Sequence, residues 1–271
     1  MIKMKTMKIL IYFLAIMLVI SVYFVPGISY ASKDLLISPK DYAKMVPIPE
    51  GDFFMGSPYN RGDADEQPQR KIYLDKFYIY KYEVTVKQYK SFCKDTGYKM
   101  PLEPSWGLID SHPIVNISRY DAEAYCKWAR VSLPTEAQWE KAARGTEGRA
   151  FPWGQKWDEA KMVNKSTSNG KTSPVGSYPE SSSPYGVMDM AGNAWEWVAD
   201  GYDEKFYTRG VKTNPFNSPV PSGKGVIRGG SWNNAEMAQF RVANRCWFYP
   251  DNGYTVNGFR CVYNIMKNKQ Q

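Results

Sequence analysis

The chain has 271 residues with 35 basic and 27 acidic side chains, a formal net charge of +8, 15% aromatic residues, four cysteines and one histidine. That lone histidine, His112, excludes a zinc or non-haem iron centre built on two or three imidazoles, and lysines scattered without a concentrated basic face speak against nucleic acid as a partner. No Pro/Gly/Ser-rich linker and no internal repeat divides the sequence, so one large domain is expected.

Lys3, Lys5 and Lys8 precede an apolar run from Ile9 to Val25, closed by Pro26 and "SYA". This is the charged, apolar and small-residue order of a secretory signal peptide over residues 1–31, with Ala31 the last residue removed. The run is long for such a signal, so an uncleaved membrane anchor over residues 9–25 stands as the alternative. Either route exports the rest of the chain to a periplasmic or extracellular space, and membrane contact follows only if the segment is retained. Cleavage takes away three lysines and no acid, leaving 32 basic and 27 acidic residues and a net charge of +5. No cysteine follows the run to carry a lipid.

A short lead (32–44) comes before the domain (45–264) and a tail (265–271). "MVPIPEGDFFMGS" (45–57) alternates apolar residues with turn formers and reads as an opening strand. "PYNRGDADEQPQR" is a polar, Pro-bounded surface loop, and the aromatic "KIYLDKFYIYKYEV" (71–84) is a strand with a bend. Thr85 with Gln88 forms a capping box for a helix from Val86 to about Asp95, ended by Gly97, with Val84 stapled to Tyr89. Ser118 precedes "RYDAEAYCKWAR", where Ala122, Tyr125, Cys126 and Ala129 share one helical face. Thr135 with Gln138 caps "EAQWEKAAR", which Gly145 ends. Beyond it Gly, Pro, Asn and Ser recur every few residues, so the class is α+β with little regular structure in the C-terminal half.

Four cysteines, Cys93, Cys126, Cys246 and Cys261, have no CxxC spacing; in an oxidising compartment their even number favours disulfides over metal binding. "DMAGNAWEW" (189–197) sets Asp189 and Glu196 either side of small residues that let the backbone curl. Two carboxylates plus carbonyls meet part of the demand of calcium for six to eight hard oxygens. The competing reading packs Trp195 and Trp197 in the core with Glu196 salt-bridged between them. A buried lone carboxylate costs several kcal/mol, so a cation of some kind belongs beside it.

Four motifs in fixed order, "LPTEAQWEKAARG", "FPWG", "YGVMDMAGNAWEW" and "RGGSW…RVANR…NGFRC", closely resemble the sulfatase-modifying-factor, or formylglycine-generating-enzyme, family over residues 45 to 264. The resemblance implies a C-type-lectin-like fold and a structural calcium site of Asp189, the Gly192 and Ala194 carbonyls and Glu196. It implies a weaker second site of Asn164, the Lys165 carbonyl, Asn169 and the Lys171 carbonyl, where Asn169 replaces an acid; the bland alternative is a solvated loop. It also implies a Cys126–Cys261 disulfide and gives no partner to Cys93 or Cys246, which pair with each other or stay free. Sulfatase activators of this family bind copper through two cysteines after the "RGGS" turn. The first of those positions corresponds to Asn234 and the second falls near Met237 to Gln239, so the resemblance implies no copper here and no catalytic residue of that kind. The iron-binding histidines of the related sulfoxide synthases are also missing, so neither iron nor zinc is expected.

Within "RGGSWNNAEMAQFRVANR" (228–245), Gly229 and Gly230 permit close approach of backbone to core. Arg241, Arg245 and Arg260 either grip an anionic ligand or pair with acids such as Glu136 and Glu140. Trp232, Asn233, Asn234, Asn244 and Trp247 suit a polar ligand stacked on aromatics. The preferred reading is a non-catalytic exported module for a peptide, protein or glycan, stabilised by calcium. The alternative is a thiol-independent maturation enzyme like the pyoverdine-maturation oxidases of the family, an oxidoreductase with Glu236, Tyr249 or Tyr254 facing a deep pocket. A sulfatase activator with displaced thiols, Cys246 among them, is the least favoured.

Overall fold

A computed structural model describes residues 35–219 and 223–265; the expected signal peptide or anchor and the tail after Ile265 lie outside them. Five strands come first: β1 (Leu36–Ile37), β2 (Lys44–Ile48), β3 (Gly51–Met55), β4 (Arg70–Leu74) and β5 (Phe77–Tyr80). Helices α1 (Val86–Thr96), α2 (Arg119–Ala129) and α3 (Glu136–Arg144) follow. Strands β6 (Trp195–Gly201), β7 (Gly225–Arg228), β8 (Cys246–Phe248), β9 (Asn257–Phe259) and β10 (Val262–Asn264) close the order, with short 3-10 turns between. The class is α+β.

All three helices start on reciprocal capping boxes, Thr85 with Gln88, Ser118 with Asp121 and Thr135 with Gln138. Each box satisfies two of the amide donors that a helix start leaves orphaned. Helix α1 stops at Gly97, whose φ of +74° is left-handed. The expected opening strand is two strands, because Pro49 and Glu50 turn the chain between β2 and β3. Buried Lys141 holds that turn by donating to the carbonyls of Pro49 and Gly51 at 2.7 and 2.9 Å. The bend expected in 71–84 is likewise a break: β4 pairs with β3, while β5 lies between β2 and β10 in another sheet.

That second sheet runs β1-β2-β5-β10, and a third runs β8-β7-β6-β9. In the latter β6 is antiparallel to β7 but parallel to β9, placing Glu196 beside Arg228 on one side and Gly258 on the other. The expected lead is part of the domain. β1 pairs with β2, and Asp41 is buried where it accepts from the Tyr80 and Tyr125 hydroxyls. A carboxylate with two buried phenol donors binds the lead to β5 and α2 as firmly as a strand pairing would.

Candidate functional site

Helix α3 departs from ordinary amphipathic design: Glu136, Glu140, Lys141 and Arg144 are all buried with its alanines and Trp139. Buried charges persist only when paired and hydrogen-bonded, and here the partners come from the glycine-arginine stretch. Arg228 donates to Glu136 and to Glu140, both at 2.7 Å, and Arg245 makes a two-pronged contact with Glu136 at 2.7 and 3.1 Å. Burial alone would raise the Glu136 carboxyl, but the Arg245 and Arg228 guanidiniums overcome it and hold it below its ordinary range. Arg144 reaches back to Glu140 at 2.7 Å. Arg241 grips Glu66 with both terminal nitrogens at 2.7 and 2.6 Å, and Arg260 grips Glu196 at 2.6 and 2.7 Å. The arginines of the C-terminal motifs are thus partners for glutamates of earlier segments.

The glycines between them make room. Gly230 has φ +79°, and a Cβ there would come within 2.6 Å of the Phe240 ring. The turn that follows closes on itself: the Asn234 carboxamide oxygen accepts from the Ser231 amide at 2.9 Å and hydroxyl at 2.7 Å, and the Asn234 carbonyl accepts from the Lys165 amide. Half-buried Trp232 donates its indole N–H to the Thr255 carbonyl and stands edge-on to Trp106. Asn233 is exposed. Asn244 is buried with its amide 3.3 Å from Asp63, and Trp247 lies under the Lys224 ammonium beside Tyr202 and Tyr249.

The seven residues expected to hold a ligand therefore do not act as one set. Arg245 has a side chain with no exposure and pairs with Glu136, which is the ion-pair alternative to a ligand grip. Asn234 and Asn244 are committed to internal hydrogen bonds. Arg241 lines a cavity of about 510 Å³ between the 57–69 loop, the C-terminal end of α3 and the turn at Met237. Glu236 and Tyr249 are exposed, Tyr254 stacks on Phe248, and none of the three lines that cavity.

The expected calcium loops differ in fit. In the first, Glu196 is spent on Arg260 and on the Trp139 indole N–H, 2.9 Å away, so its partner is a guanidinium rather than an ion. Asp189, at φ +58°, accepts from the Gly176 amide, and Glu83 accepts from the Asn193 side-chain amide at 3.4 Å. Glu83 is 1% exposed, and its second carboxyl oxygen has no partner among the described residues. Burial, then the neighbouring Asp189, pushes the Glu83 carboxyl well above its ordinary range; burial likewise raises Asp189. Glu83 and Asp189 thus lie beside an Arg260 guanidinium already taken by Glu196, with no ion-pair partner of their own among the described residues. Hard oxygen donors in that state fit a divalent cation of the calcium type, with Asp189 and Glu83 as the side chains that would hold it. No group of three acidic, histidine or cysteine side chains able to hold a metal ion is found among the described residues, so carbonyls would have to supply the balance.

The second loop does not fit. Asn164 donates to the Glu159 carbonyl and accepts from the Ser166 amide and hydroxyl, closing an Asx turn that occupies its side-chain oxygen. No carboxylate stands among its expected ligands, and Asn169, at φ +51°, shapes the turn instead.

Cys126 and Cys261 meet as buried thiols, with sulfurs 3.3 Å apart against about 2.05 Å in a disulfide. Cys93 on α1 and Cys246 on β8 are free and half-buried. Burial raises the Cys246 thiol, which disfavours its thiolate.

The profile of the sulfatase-modifying factor enzyme 1-like domain matches residues 32–265. A formylglycine-generating enzyme of Bos taurus is 32% identical over 288 aligned residues, covering 83% of this chain and 75% of the bovine one. The chain belongs to the sulfatase-modifying factor family. A second formylglycine-generating enzyme, from Thermomonospora curvata, is 30% identical over 291 residues, 83% of this chain and 95% of that one. Among solved structures, PvdO from Pseudomonas aeruginosa overlays with a TM-score of 0.77 and 28% identity, covering 86% of this chain and 98% of PvdO. The mixed sheets and sparse helices of this family member accord with a C-type-lectin-like fold. Family membership also accounts for the start of the match at residue 32, inside the expected lead. Several residues of the buried charge system escaped the sequence reading, among them Arg144, Arg228 and Asp200, as well as Glu66, in a run read as a surface loop, and Glu83, in a run read as a strand with a bend. An acid inside the aromatic run "FYIYKYEV" was the available signal for Glu83.

Proposed function

We propose that this member of the sulfatase-modifying factor family is an exported binding module for a peptide, protein or glycan, steadied by calcium, and that it does not carry out copper-dependent thiol oxidation. The observation that carries this reading is Asn234. It stands at the position that the family resemblance gives to the first copper-binding cysteine, and its carboxamide oxygen is engaged by Ser231. A carboxamide supplies none of the soft sulfur that cuprous copper prefers. Cys246, the thiol of the same stretch, is shifted by burial away from the ionised form a metal would need.

The test joins metal analysis with turnover. Purified protein is expected to contain calcium and to leave the cysteine of a sulfatase-derived peptide unchanged in the presence of cuprous copper and oxygen. One equivalent of tightly bound copper together with conversion of that cysteine to the aldehyde overturns the proposal. A second reading, a thiol-independent maturation enzyme, is favoured by the likeness to PvdO, which extends over 98% of that chain. It predicts oxygen uptake with an exported peptide or metabolite, and loss of that uptake on substitution of Tyr254 or Glu236.

A further inference from the structure

The cavity of about 510 Å³ beside Arg241 has the size of a site for a short peptide or drug-sized molecule. Its walls are of two kinds. Phe54 and Met237 are 47% and 48% exposed and, with Pro58, form an apolar side that nothing in the domain covers. The polar side holds the arginines. Arg241 is neutralised by Glu66, and Arg144 by Glu140 while it also donates to the Phe54 and Gly56 carbonyls. Glu147, on the rim, is paired with Arg149. Arg61 is different: its guanidinium has no hydrogen-bond or ion-pair partner among the described residues. It sits on a loop tied down by its own backbone, its amide donating to the Pro58 carbonyl and its carbonyl accepting from the Gln67 side chain. The cavity therefore has one uncompensated positive charge opposite an uncovered apolar wall, with the Gln69 and Gln155 amides along its edge.

We infer that this cavity binds a peptide segment in which an apolar side chain lies next to a carboxylate, the carboxylate on Arg61 and the apolar group against Phe54, Pro58 and Met237. The inference rests on the reading of the chain as a binding module and gives that module a site and a ligand class. A guanidinium takes a carboxylate in two parallel hydrogen bonds, which adds geometric selection to charge. Side-chain amides at the edge suit the peptide groups of such a ligand better than a bare hydrocarbon chain. The carboxylate comes from a chain terminus or from an acidic side chain, and the two are separable.

The experiment uses fluorescence anisotropy with three labelled apolar tripeptides: one with a free carboxyl terminus, the same peptide amidated, and an amidated one with glutamate beside the apolar residue. Binding of a carboxylate-bearing peptide and at least a tenfold loss on its removal are expected, since a hydrogen bond to a charged group contributes about 1.5–3 kcal/mol and tenfold is about 1.4 kcal/mol. Arg61→Ala should weaken binding by a similar factor, Arg61→Lys should restore part of it, and Phe54→Ser should weaken it independently of salt. Arg61 is exposed and unpartnered, so thermal unfolding of Arg61→Ala is expected to match wild type. If the peptides bind Arg61→Ala as well as wild type, the cavity assignment fails and the module reading stands. If none of the three binds at millimolar concentration the inference is overturned, and screening of a wider peptide and glycan set then judges the module reading separately.

Discussion

Glu136→Gln removes one charge from the most connected point of the buried ion network while keeping the side-chain shape. In wild type Glu136 is 1% exposed and is shared by two guanidiniums with no side-chain exposure, at 2.7 Å from Arg228 and 2.7 and 3.1 Å from Arg245. Removing one partner of a buried pair destabilises by about 3–5 kcal/mol, because the other charge stays desolvated and uncompensated. The lower end applies here. Arg228 keeps Glu140 at 2.7 Å, and Arg245 keeps the Asp65 and Asp203 carbonyls with the Asp65 carboxylate 3.9 Å away. For a domain of this size each kcal/mol lowers Tm by about 2–4 °C, so a fall of roughly 6–12 °C is expected from about 3 kcal/mol. The assays are thermal unfolding for the fall in Tm and urea unfolding for the loss of free energy, both at pH 7.5 by tryptophan fluorescence with calcium held constant. Asp110→Asn, which breaks the exposed Lys90 pair with both side chains about half exposed, is the control and should lose no more than about 1 kcal/mol. A further variant, Glu136→Leu with Arg245→Met, should be more stable than Glu136→Leu alone, since it removes an unpaired charge. The reasoning is refuted if Glu136→Gln loses no more than Asp110→Asn.

Asp200, which accepts from the Glu136 amide at 2.7 Å, is raised to about 7, first by burial and then by the Glu136 charge. A carboxyl that binds its proton more tightly folded than unfolded contributes stability that is fully present below its unfolded value and lost as pH rises through about 7. Wild-type stability should therefore carry a component that declines from about pH 4 to pH 7.5, and Asp200→Asn should remove that component in parallel unfolding curves. Calcium at a hundredfold excess over its dissociation constant should raise stability by about 2.7 kcal/mol; Glu83→Gln should abolish that increment, and an undiminished increment in this variant would refute the assignment of Glu83. Under oxidising conditions Cys126 and Cys261 should join, seen as a mass loss of two hydrogens that Cys126→Ser prevents; a closed loop of 135 residues adds roughly 5 kcal/mol at most. If the oxidised protein retains four alkylatable thiols after unfolding, the pairing is wrong.

The parts of the fold that the sequence made legible are those decided within a few residues. Thr85, Ser118 and Thr135 each announce a helix start because the cap, its reciprocal partner and the first apolar turn lie within one short window. The break between β2 and β3 was harder: Pro49 and Gly51 favour a turn, but the alternation of apolar residues runs through them and reads as one strand. Residues 35–43 looked like a lead because what makes them part of the domain, the contact of Asp41 with Tyr80 and Tyr125, spans 39 and 84 positions.

The same distance dependence governs the candidate site. An arginine such as Arg241, Arg245 or Arg260 presents the same formula whether it awaits a ligand or neutralises a buried acid, and only the fold decides. Arg245 lies 109 residues from Glu136, and Arg241 lies 175 from Glu66. Counting acids in buried segments does narrow the choice. Helix α3 carries Glu136 and Glu140 in a run with Ala137, Trp139, Ala142 and Ala143; Arg144 of the same helix reaches Glu140, and the remaining counter-charge comes from elsewhere in the chain. Arg228 and Arg245 answer those two acids, as Arg260 answers Glu196. What is left after such matching is, on one side, Glu83 with its neighbour Asp189 and, on the other, cations without an acid in contact: Lys141 and Arg70, which donate to backbone carbonyls, and Arg61 at the mouth of a cavity. The motifs that name the family are largely consumed in holding it together; of the residues left unmatched, Asp189 lies inside one of them while Glu83 and Arg61 lie outside.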